Sequence, residues 1–293
     1  MAIAPSELVL NPDGSVYHLN LKPENIGDFI IFVGDQNRVA RISDLFDSIE
    51  FETQKREFKT HTGYYKGKRI SVISTGIGPD NIDIVMNELD ALVNIDLKTR
   101  LPKDSHTKLK IIRIGTSGSL QNDVPVDSFL MSTHGIDMNG LMHFYQVHPN
   151  DHLEAMENEF VAHTHWHPQK AYPYIFMAGK ALMELFSDTE NLHRGITATA
   201  GGFYGPQGRV LRLPLSDPDL NDKLETFAYE NHKITNYEME TAAIYAFARL
   251  LGHEALSMNA IIANRPAGTF SADPYAVVDN LIFFTLENLA KSR

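Results

Sequence analysis

The chain has 293 residues, of which 43% are hydrophobic and 22% are charged, and its formal net charge is −11 at pH 7. This composition is typical of a soluble globular protein, and the negative charge argues against a general surface for nucleic acids or anionic membranes. The sequence contains no cysteine, which excludes disulfide bonds, thiolate nucleophiles and cysteine-based zinc sites.

The first ten residues, MAIAPSELVL, lack a basic segment followed by a long apolar run, so we expect no signal peptide. No stretch of the sequence approaches the roughly 20 apolar residues that a membrane-spanning helix needs. Because a chain without cysteine suits a reducing compartment, we expect a cytoplasmic protein that has neither a membrane nor a nucleic acid as partner.

Short apolar runs alternate with longer helical patterns along the first half of the chain. We predict strands over 28–35, 69–78, 110–120 and 127–137, and helices over 37–46 and 80–93. The stretch 98–110 is polar and interrupted by proline, and we predict that it is an exposed loop.

The same alternation continues through the second half. Segment 190–203 approaches another glycine-rich loop, 235–250 predicts a long helix, 255–265 a strand and 276–291 an amphipathic helix. Strands that alternate with helices form a mainly parallel sheet covered on both faces. Since no repeat or low-complexity linker divides the chain, we predict a single α/β domain over residues 1–293.

Four arginines stand in the loops that follow predicted strands: Arg38, Arg113, Arg209 and Arg265. In α/β folds ligands bind at the carboxyl ends of the strands, and arginines and glycine-rich loops bind phosphate oxygens. Any one of these arginines alone would more often pair with a surface acid. No segment fits the P-loop or the G-x-G-x-x-G pattern. Together the arginines predict a phosphate site without identifying a nucleotide.

Two acids flank a methionine in NYEME, directly before the apolar helix. An acidic first turn suits the helix dipole, so a simple helix start is one interpretation. A fixed carboxylate can also accept hydrogen bonds from two adjacent ribose hydroxyls, and a methionine offers the sugar an apolar floor. With the arginines, Glu238, Met239 and Glu240 therefore predict a site where ribose meets inorganic phosphate.

Eight segments carry a resemblance to a known family: SVYHLNL, VGDQNRV, KREF, STGIG, IIRIGTSGSLQ, GGFYGPQGR, TNYEMETAAIYA and IIANR. In this order they resemble the nucleoside phosphorylase family, and its uridine phosphorylase branch in particular. The resemblance implies a three-layer α/β/α sandwich with a mixed, partly barrel-like central sheet. It also implies that uridine, or another pyrimidine nucleoside, reacts with inorganic phosphate as co-substrate to give uracil and ribose 1-phosphate, with no cofactor and no metal.

The resemblance assigns residues to each part of the substrates. The phosphate-binding residues would be Gly34, Arg38, Arg56, Arg113 and Thr116. The ribose-binding residues would be His18, Glu238, Met239 and Glu240, and the base-binding residues would be Phe203, Gln207, Arg209 and Arg265. The catalytic residues among them would be Arg38, Arg113, Arg209 and Glu240.

The resemblance further implies that a neighbouring subunit lends Arg56 to the phosphate and His18 to the ribose 5′-hydroxyl. The active form would then be a homo-oligomer, either a dimer or a hexamer, between which the sequence does not decide. Purine-cleaving relatives carry an aspartate where this chain has Asn264, and an amide cannot protonate a departing purine, which favours a pyrimidine. The alternatives are a purine nucleoside phosphorylase, a nucleosidase of the same superfamily and a non-catalytic nucleoside-binding protein.

The chain also departs from the family pattern. Gln36 replaces the proline of the usual Gly-Asp-Pro turn, STGIGPDN lacks a second glycine, and Gly205-Pro206 reverses the common order. Extra residues lie around 95–110 and 140–170. These differences can change the shapes of the loops and the range of nucleosides, while the ligand positions are kept.

The motif HTHWH places His163, His165 and His167 on one face if the segment is extended. Three imidazoles can bind zinc, but an exposed His-rich loop is the more frequent case, and the implied reaction has no use for a metal. We therefore expect no metal site here.

Overall fold

The computed structural model describes residues 2–187, 189 and 192–292. Its helices are α1 (Gln36–Ser43), α2 (Pro79–Asn94), α3 (Glu154–Thr164), α4 (Lys180–Glu184), α5 (Leu220–Thr226), α6 (Thr241–Leu251) and α7 (Pro274–Ala290). Its strands in the first half are β1 (Phe29–Val33), β2 (Ser48–Lys55), β3 (Phe58–Tyr65), β4 (Lys68–Ser74), β5 (Ile95–Asp96), β6 (Leu101–Pro102) and β7 (Lys110–Ser119). The later strands are β8 (Phe129–Asp137), β9 (Ile175–Met177), β10 (Leu192–Thr199), β11 (Ala228–Tyr229), β12 (His232–Glu238), β13 (Glu254–Asn264) and β14 (Thr269–Phe270).

One mixed sheet organises the molecule. Its strands follow the order β11-β12-β10-β8-β13-β7-β1-β4-β3-β2. Strands β1, β4, β7 and β13 pair in parallel, whereas β13 pairs antiparallel with β8. A further pairing of β12 with β7, in which Tyr237 lies opposite Gly118, closes five of these strands into a barrel. The expected mixed and partly barrel-like α/β fold is therefore confirmed.

The apolar patterns explain how the elements around the site are placed. All five residues of β1 are buried, as a central parallel strand requires. Helix α6 buries its first eight residues and packs on β8 and β13. The contact with β8 needs glycine at position 135, because a Cβ there would lie 2.8 Å from the backbone of Ala242. The start of α6 is thereby held firmly against the sheet.

Most predicted elements are found within a few residues of their expected ends. Strands β2 and β3 were not predicted, because β2 lies at the edge of the sheet with a largely exposed, charged sequence, and β3 is its hairpin partner. The expected helix over 235–250 is wrong at its start, because residues 235–238 belong to the buried strand β12 and the helix begins only at Thr241. The short strands β9, β11 and β14 were not predicted either. Stretch 98–110 is mostly loop as predicted, and β6 adds only a two-residue pairing with β5. Helix α3 lies within the extra segment 140–170. Residues 190 and 191 of the predicted segment 190–203 lie outside the described residues.

In the part of the chain that the structure describes, no helix combines the length and the apolar character needed to cross a bilayer.

A buried tyrosine links α6 to two strands. The hydroxyl of Tyr245 donates to the carbonyl oxygen of Ser132 on β8 at 2.6 Å and accepts from the N–H of Ser257 on β13 at 2.8 Å. We predict that Tyr245→Phe lowers the free energy of unfolding by about 1–3 kcal/mol, because both backbone groups lose their partner in a buried place. Urea denaturation followed by circular dichroism measures this change. Tyr64→Phe is the matched control, and equal midpoints for the two variants would contradict the prediction.

Candidate active site

A cavity of about 760 Å³ opens at the carboxyl ends of β1, β7 and β12. It brings together most of the residues that the sequence singled out: Gly34, Arg38, Arg113, Thr116, Phe203, Gln207, Arg209, Glu238, Met239 and Glu240. A second cavity of about 780 Å³ lies beside it, lined largely by apolar residues of segment 204–220. Because the arginines and the two glutamates converge in the first cavity, we place the candidate site there.

A buried ion cluster forms the floor of this site. One guanidinium nitrogen of Arg113 (Nη2) lies 2.6 Å from Glu240 Oε2 and 3.2 Å from Glu238 Oε2, and the other (Nη1) donates to Asn259 at 3.0 Å. Burial by itself would lower the pKa of Arg113, but the two carboxylates raise it above its usual value. The guanidinium folds back over Gly115, where a Cβ would lie only 1.9 Å from Nη1. Gly115, the first glycine of RIGTSG, therefore makes room for the Arg113 side chain.

Glu238 is held by the start of α6. Its carboxylate accepts from the hydroxyl of Thr199 at 2.7 Å and from the backbone N–H groups of Glu240 and Thr241 at 2.8–3.0 Å. These bonds satisfy free N–H groups at the helix N-terminus and place a negative charge at its positive end. The helix-start interpretation of NYEME thus accounts for Glu238, although this residue also lines the cavity.

Glu240 is bound differently. Oε1 accepts from the backbone N–H of Gly78 at 2.8 Å, and Oε2 accepts from Arg113. Burial raises the pKa of Glu240, and Arg113 partly counteracts this effect. Each carboxylate oxygen can accept a second hydrogen bond, so Glu240 keeps acceptor capacity at the cavity wall. The glycine turn STGIG thus positions Glu240 through its backbone.

Arg38 supplies positive charge without an acid beside it. It lies in the first turn of α1, and Nη1 donates to the carbonyl oxygen of Ile114 at 3.1 Å. Among the described residues no carboxylate lies within 4 Å of its guanidinium, and its buried Nε has no hydrogen-bond partner. Burial, reinforced by the charge of Arg113, lowers the pKa of Arg38 to about 10. This part of the cavity is therefore suited to an anion.

The opposite end of the cavity is built around Gln207. Its side-chain oxygen accepts from Arg209 at 2.8 Å and more distantly from Arg265 at 3.4 Å, and no described residue accepts from its amide nitrogen, which can therefore donate to a ligand. Arg209 also stacks on Phe203, with its Cζ 3.7 Å from the ring centroid. Arg265 does not line the cavity and supports Gln207 from behind, also donating to its backbone oxygen.

Tyr237 is a residue of this wall that the sequence reasoning did not single out. It lines the cavity and is only 1% exposed, and its hydroxyl has no partner within the described ranges. Arg265 lies over its ring, 5.2 Å from the centroid. Tyr237 directly precedes Glu238 at the end of a strand that leads into the site. This position in the sequence could have identified it as a site residue.

Two assigned residues, His18 and Arg56, do not line the cavity of their own chain. The imidazole of His18 lies 2.7 Å from Glu88, whose carboxylate also accepts from the backbone N–H groups of residues 18 and 19. Arg56 is exposed at the tip of the β2–β3 hairpin. Within one chain neither of these two side chains therefore contributes to the cavity wall.

Asn264, where the sequence offers an amide in place of an acid, lies behind the site. Its amide nitrogen donates to the backbone oxygens of Gln121 and Val124, both at 2.9 Å, and its side-chain oxygen accepts from the N–H of Ala267. The side chain does not line the cavity. In this structure Asn264 therefore fastens loops, and the preference for a pyrimidine stays a prediction.

Neither histidine cluster fits a metal. In HTHWH, His163 lies in the last turn of α3 and contacts the backbone oxygen of Lys223, whereas His165 has a left-handed backbone with φ of 51°, so the segment is not extended as a shared histidine face would require. Asp90, His106 and His253 lie close enough to hold an ion. However, His253 Nδ1 accepts from the N–H of Leu109, so the neutral ring carries its proton on Nε2, the atom that would bind the metal.

Known proteins resemble this chain over most of its length. A uridine phosphorylase of Thermococcus kodakarensis is 29% identical, with 88% of this chain and 80% of the relative aligned. A DeoD-type purine nucleoside phosphorylase of Listeria monocytogenes is 26% identical over 82% of this chain and 84% of its own. A crystal structure of a Trypanosoma brucei nucleoside phosphorylase, described as showing uridine phosphorylase activity, is 29% identical with a TM-score of 0.85, covering 97% of this chain and 100% of that one.

The family match covers the elements that build the site. A sequence model described as Phosphorylase superfamily matches residues 28–282, which include β1, the ion cluster and the wall around Gln207. Since this match spans far more than half of the 293 residues, the chain belongs to the phosphorylase superfamily.

Proposed function

We propose that this protein is a uridine phosphorylase, a pentosyltransferase that converts uridine and inorganic phosphate to uracil and ribose 1-phosphate. The observation that carries the proposal is that one cavity contains both a half-buried arginine, Arg38, with no acid beside it among the described residues, and a carboxylate, Glu240, held by Arg113. A phosphate and a sugar diol need these two groups side by side. The names of relatives at 27–29% identity support uridine as the nucleoside.

Phosphate would bind at the end of the cavity lined by Gly34, Arg38, Arg113 and Thr116. Arginine side chains and backbone N–H groups bind phosphate oxygens through charge-assisted hydrogen bonds. The bound phosphate would lie under the anomeric carbon, where it acts as the nucleophile. Its negative charge would also stabilise the positive charge that develops on the ribose in an oxocarbenium-like transition state.

The ribose would be held by Glu240, which accepts from the 2′- and 3′-hydroxyls, with Met239 as the apolar surface beneath the ring. Arg113 favours the ionised form of Glu240 and orients its carboxylate. Glu238 would contribute indirectly, because it fixes the backbone of residue 240. Catalysis would rest on orientation and electrostatics, with no metal, cofactor or covalent intermediate.

The base would occupy the end built from Phe203, Gln207 and Arg209, with Arg265 behind it. The free amide of Gln207 can donate to a uracil carbonyl oxygen. Arg209 can leave its stacked position on Phe203 and stabilise the negative charge that grows on the departing base. Tyr237 completes the wall on this side.

The active form would be a homo-oligomer in which His18 and Arg56 serve a neighbouring protomer. Their separation from the cavity of their own chain supports this arrangement, because a cis role would place them on its wall. The same proposal places the reaction in the cytoplasm, as a step of pyrimidine salvage.

The first prediction concerns phosphate. The wild-type protein should release uracil from uridine only when phosphate is present, and it should act more slowly on inosine and adenosine. Chromatography of reactions with uridine, thymidine, deoxyuridine, inosine and adenosine, with and without phosphate, checks this. Release of uracil without phosphate would indicate a nucleosidase. Faster reaction with inosine than with uridine would indicate a purine nucleoside phosphorylase, and no release of any base would indicate a binding protein. The reactions with inosine and adenosine are included because the chain also resembles DeoD-type purine nucleoside phosphorylases.

The second prediction concerns Glu240. Glu240→Gln should lower kcat/KM for uridine by about 100-fold or more, because hydrogen bonds from the diol to a charged acceptor are lost. The loss should be smaller for 2′-deoxyuridine, which offers one hydroxyl fewer, and binding of free uracil should change little. Steady-state kinetics and calorimetry measure these effects. Equal losses for uridine and free uracil would reject the diol role.

The third prediction concerns the shared site. Arg56→Ala and Glu240→Ala should each be nearly inactive alone. Mixed oligomers refolded from equal amounts should regain about a quarter of wild-type activity, since half of the dimers would contain one intact site out of two. No recovery, with mixing verified by tagged chains, would place Arg56 in its own chain's site.

A further inference from the structure

The side chain of Gln36 connects the phosphate end of the cavity to the β2–β3 hairpin. Gln36 follows Gly34 and Asp35 on the cavity wall and begins α1. Its Nε2 donates to the backbone oxygen of Arg56 at 3.0 Å, and its Oε1 accepts from Nε2 of Gln54 at 3.1 Å. Gln54 also reaches the same oxygen of Arg56 at 3.4 Å. Two amides therefore converge on the backbone of a single residue at the hairpin tip.

The hairpin tip has a backbone shape that needs support. Arg56 has a φ of 54°, in the left-handed region that a residue with a long side chain seldom adopts. Such a conformation persists where the surroundings hold it. Next to Arg56, Glu57 lines the cavity of its own chain, whereas Arg56 is exposed and does not. The turn thus sends two consecutive side chains in different directions, with the arginine outward.

We propose that Gln36 is a positioning residue, whose amide holds the hairpin tip so that Arg56 is presented to phosphate in a neighbouring protomer's site. The inference rests on the proposed function, and specifically on Arg56 acting across the interface. Gln36 stands where the resemblance led us to expect proline, which could form neither of these side-chain bonds. Because Gln36 lies on the cavity wall of its own chain, it links the phosphate loop of one site to the arginine that serves the other.

The test compares Gln36→Ala and Gln36→Met with the wild-type full-length protein. Methionine keeps the length of the side chain and removes only the amide. Both variants should raise KM for phosphate about 3- to 10-fold, the size expected for a lost hydrogen bond, with KM for uridine changed by less than about twofold. Gln169→Ala, which alters an exposed glutamine outside the site, is the matched control and should match the wild type.

A double-mutant cycle identifies the route of the effect. In an Arg56→Ala background, whose residual activity is measured at raised enzyme concentration, Gln36→Ala should raise KM for phosphate no further, because the residue that Gln36 positions has lost its side chain. Unchanged KM for phosphate in both Gln36 variants, or the same increase with and without Arg56, would overturn the proposal. Thermal melting shows whether the variants are folded.

The outcomes also separate this inference from the proposed function. Phosphate-dependent uracil release by the wild type, and recovery of activity in mixed Arg56→Ala and Glu240→Ala oligomers, test the function and the shared site first. If both hold and the Gln36 variants behave like the wild type, only the positioning role is rejected. If Arg56→Ala leaves KM for phosphate unchanged, the shared site and the positioning role are both rejected.

Discussion

The candidate site depends on a buried guanidinium, that of Arg113, shared between two carboxylates. Taking a carboxylate out of water is costly unless an opposite charge and hydrogen bonds replace the water. Arg113 supplies the charge for Glu238 and Glu240, and backbone N–H groups and the hydroxyl of Thr199 supply the remaining bonds. The arginine comes from β7 and Glu238 from the end of β12, and the backbone donor to Glu240 is Gly78 in the glycine turn after β4. The cluster therefore joins three segments that are distant in the sequence.

The barrel closure makes this meeting possible. Strand β12 reaches β7 only because the sheet curls until Tyr237 pairs with Gly118. The same curling carries the end of β13 beside the cavity, so that Arg265 can reach Gln207. The helix and strand propensities of single segments determine neither the β12–β7 pairing nor the contact of Arg265 with Gln207, since both depend on how far the sheet closes. The orientation of the site's side chains is therefore a property of the whole sheet.

This explains which features the sequence could predict. Apolar runs located β1, β7, α6 and α7, and the arginines and NYEME indicated the chemistry, because these signals are local. The division of work between Glu238 and Glu240 was not visible, since it depends on Thr199 from a neighbouring strand and on the backbone of Gly78. The direction of the Asn264 side chain and the orphan hydroxyl of Tyr237 likewise follow from packing across strands.

The charges around the phosphate end of the cavity suggest a role for Arg56 at the tip of the β2–β3 hairpin. At the phosphate end, both buried carboxylates bind Arg113, so Arg38 is the guanidinium that one protomer leaves without an acid within 4 Å among the described residues. A phosphate at neutral pH carries between about one and two negative charges, and the chain itself has a net charge of −11. Under the proposed function, Arg56 of a neighbouring protomer adds a further positive charge to the one that Arg38 offers the phosphate. Assembly would then be a condition of phosphate binding, and the residues that hold the hairpin tip would matter as much as those that touch the anion.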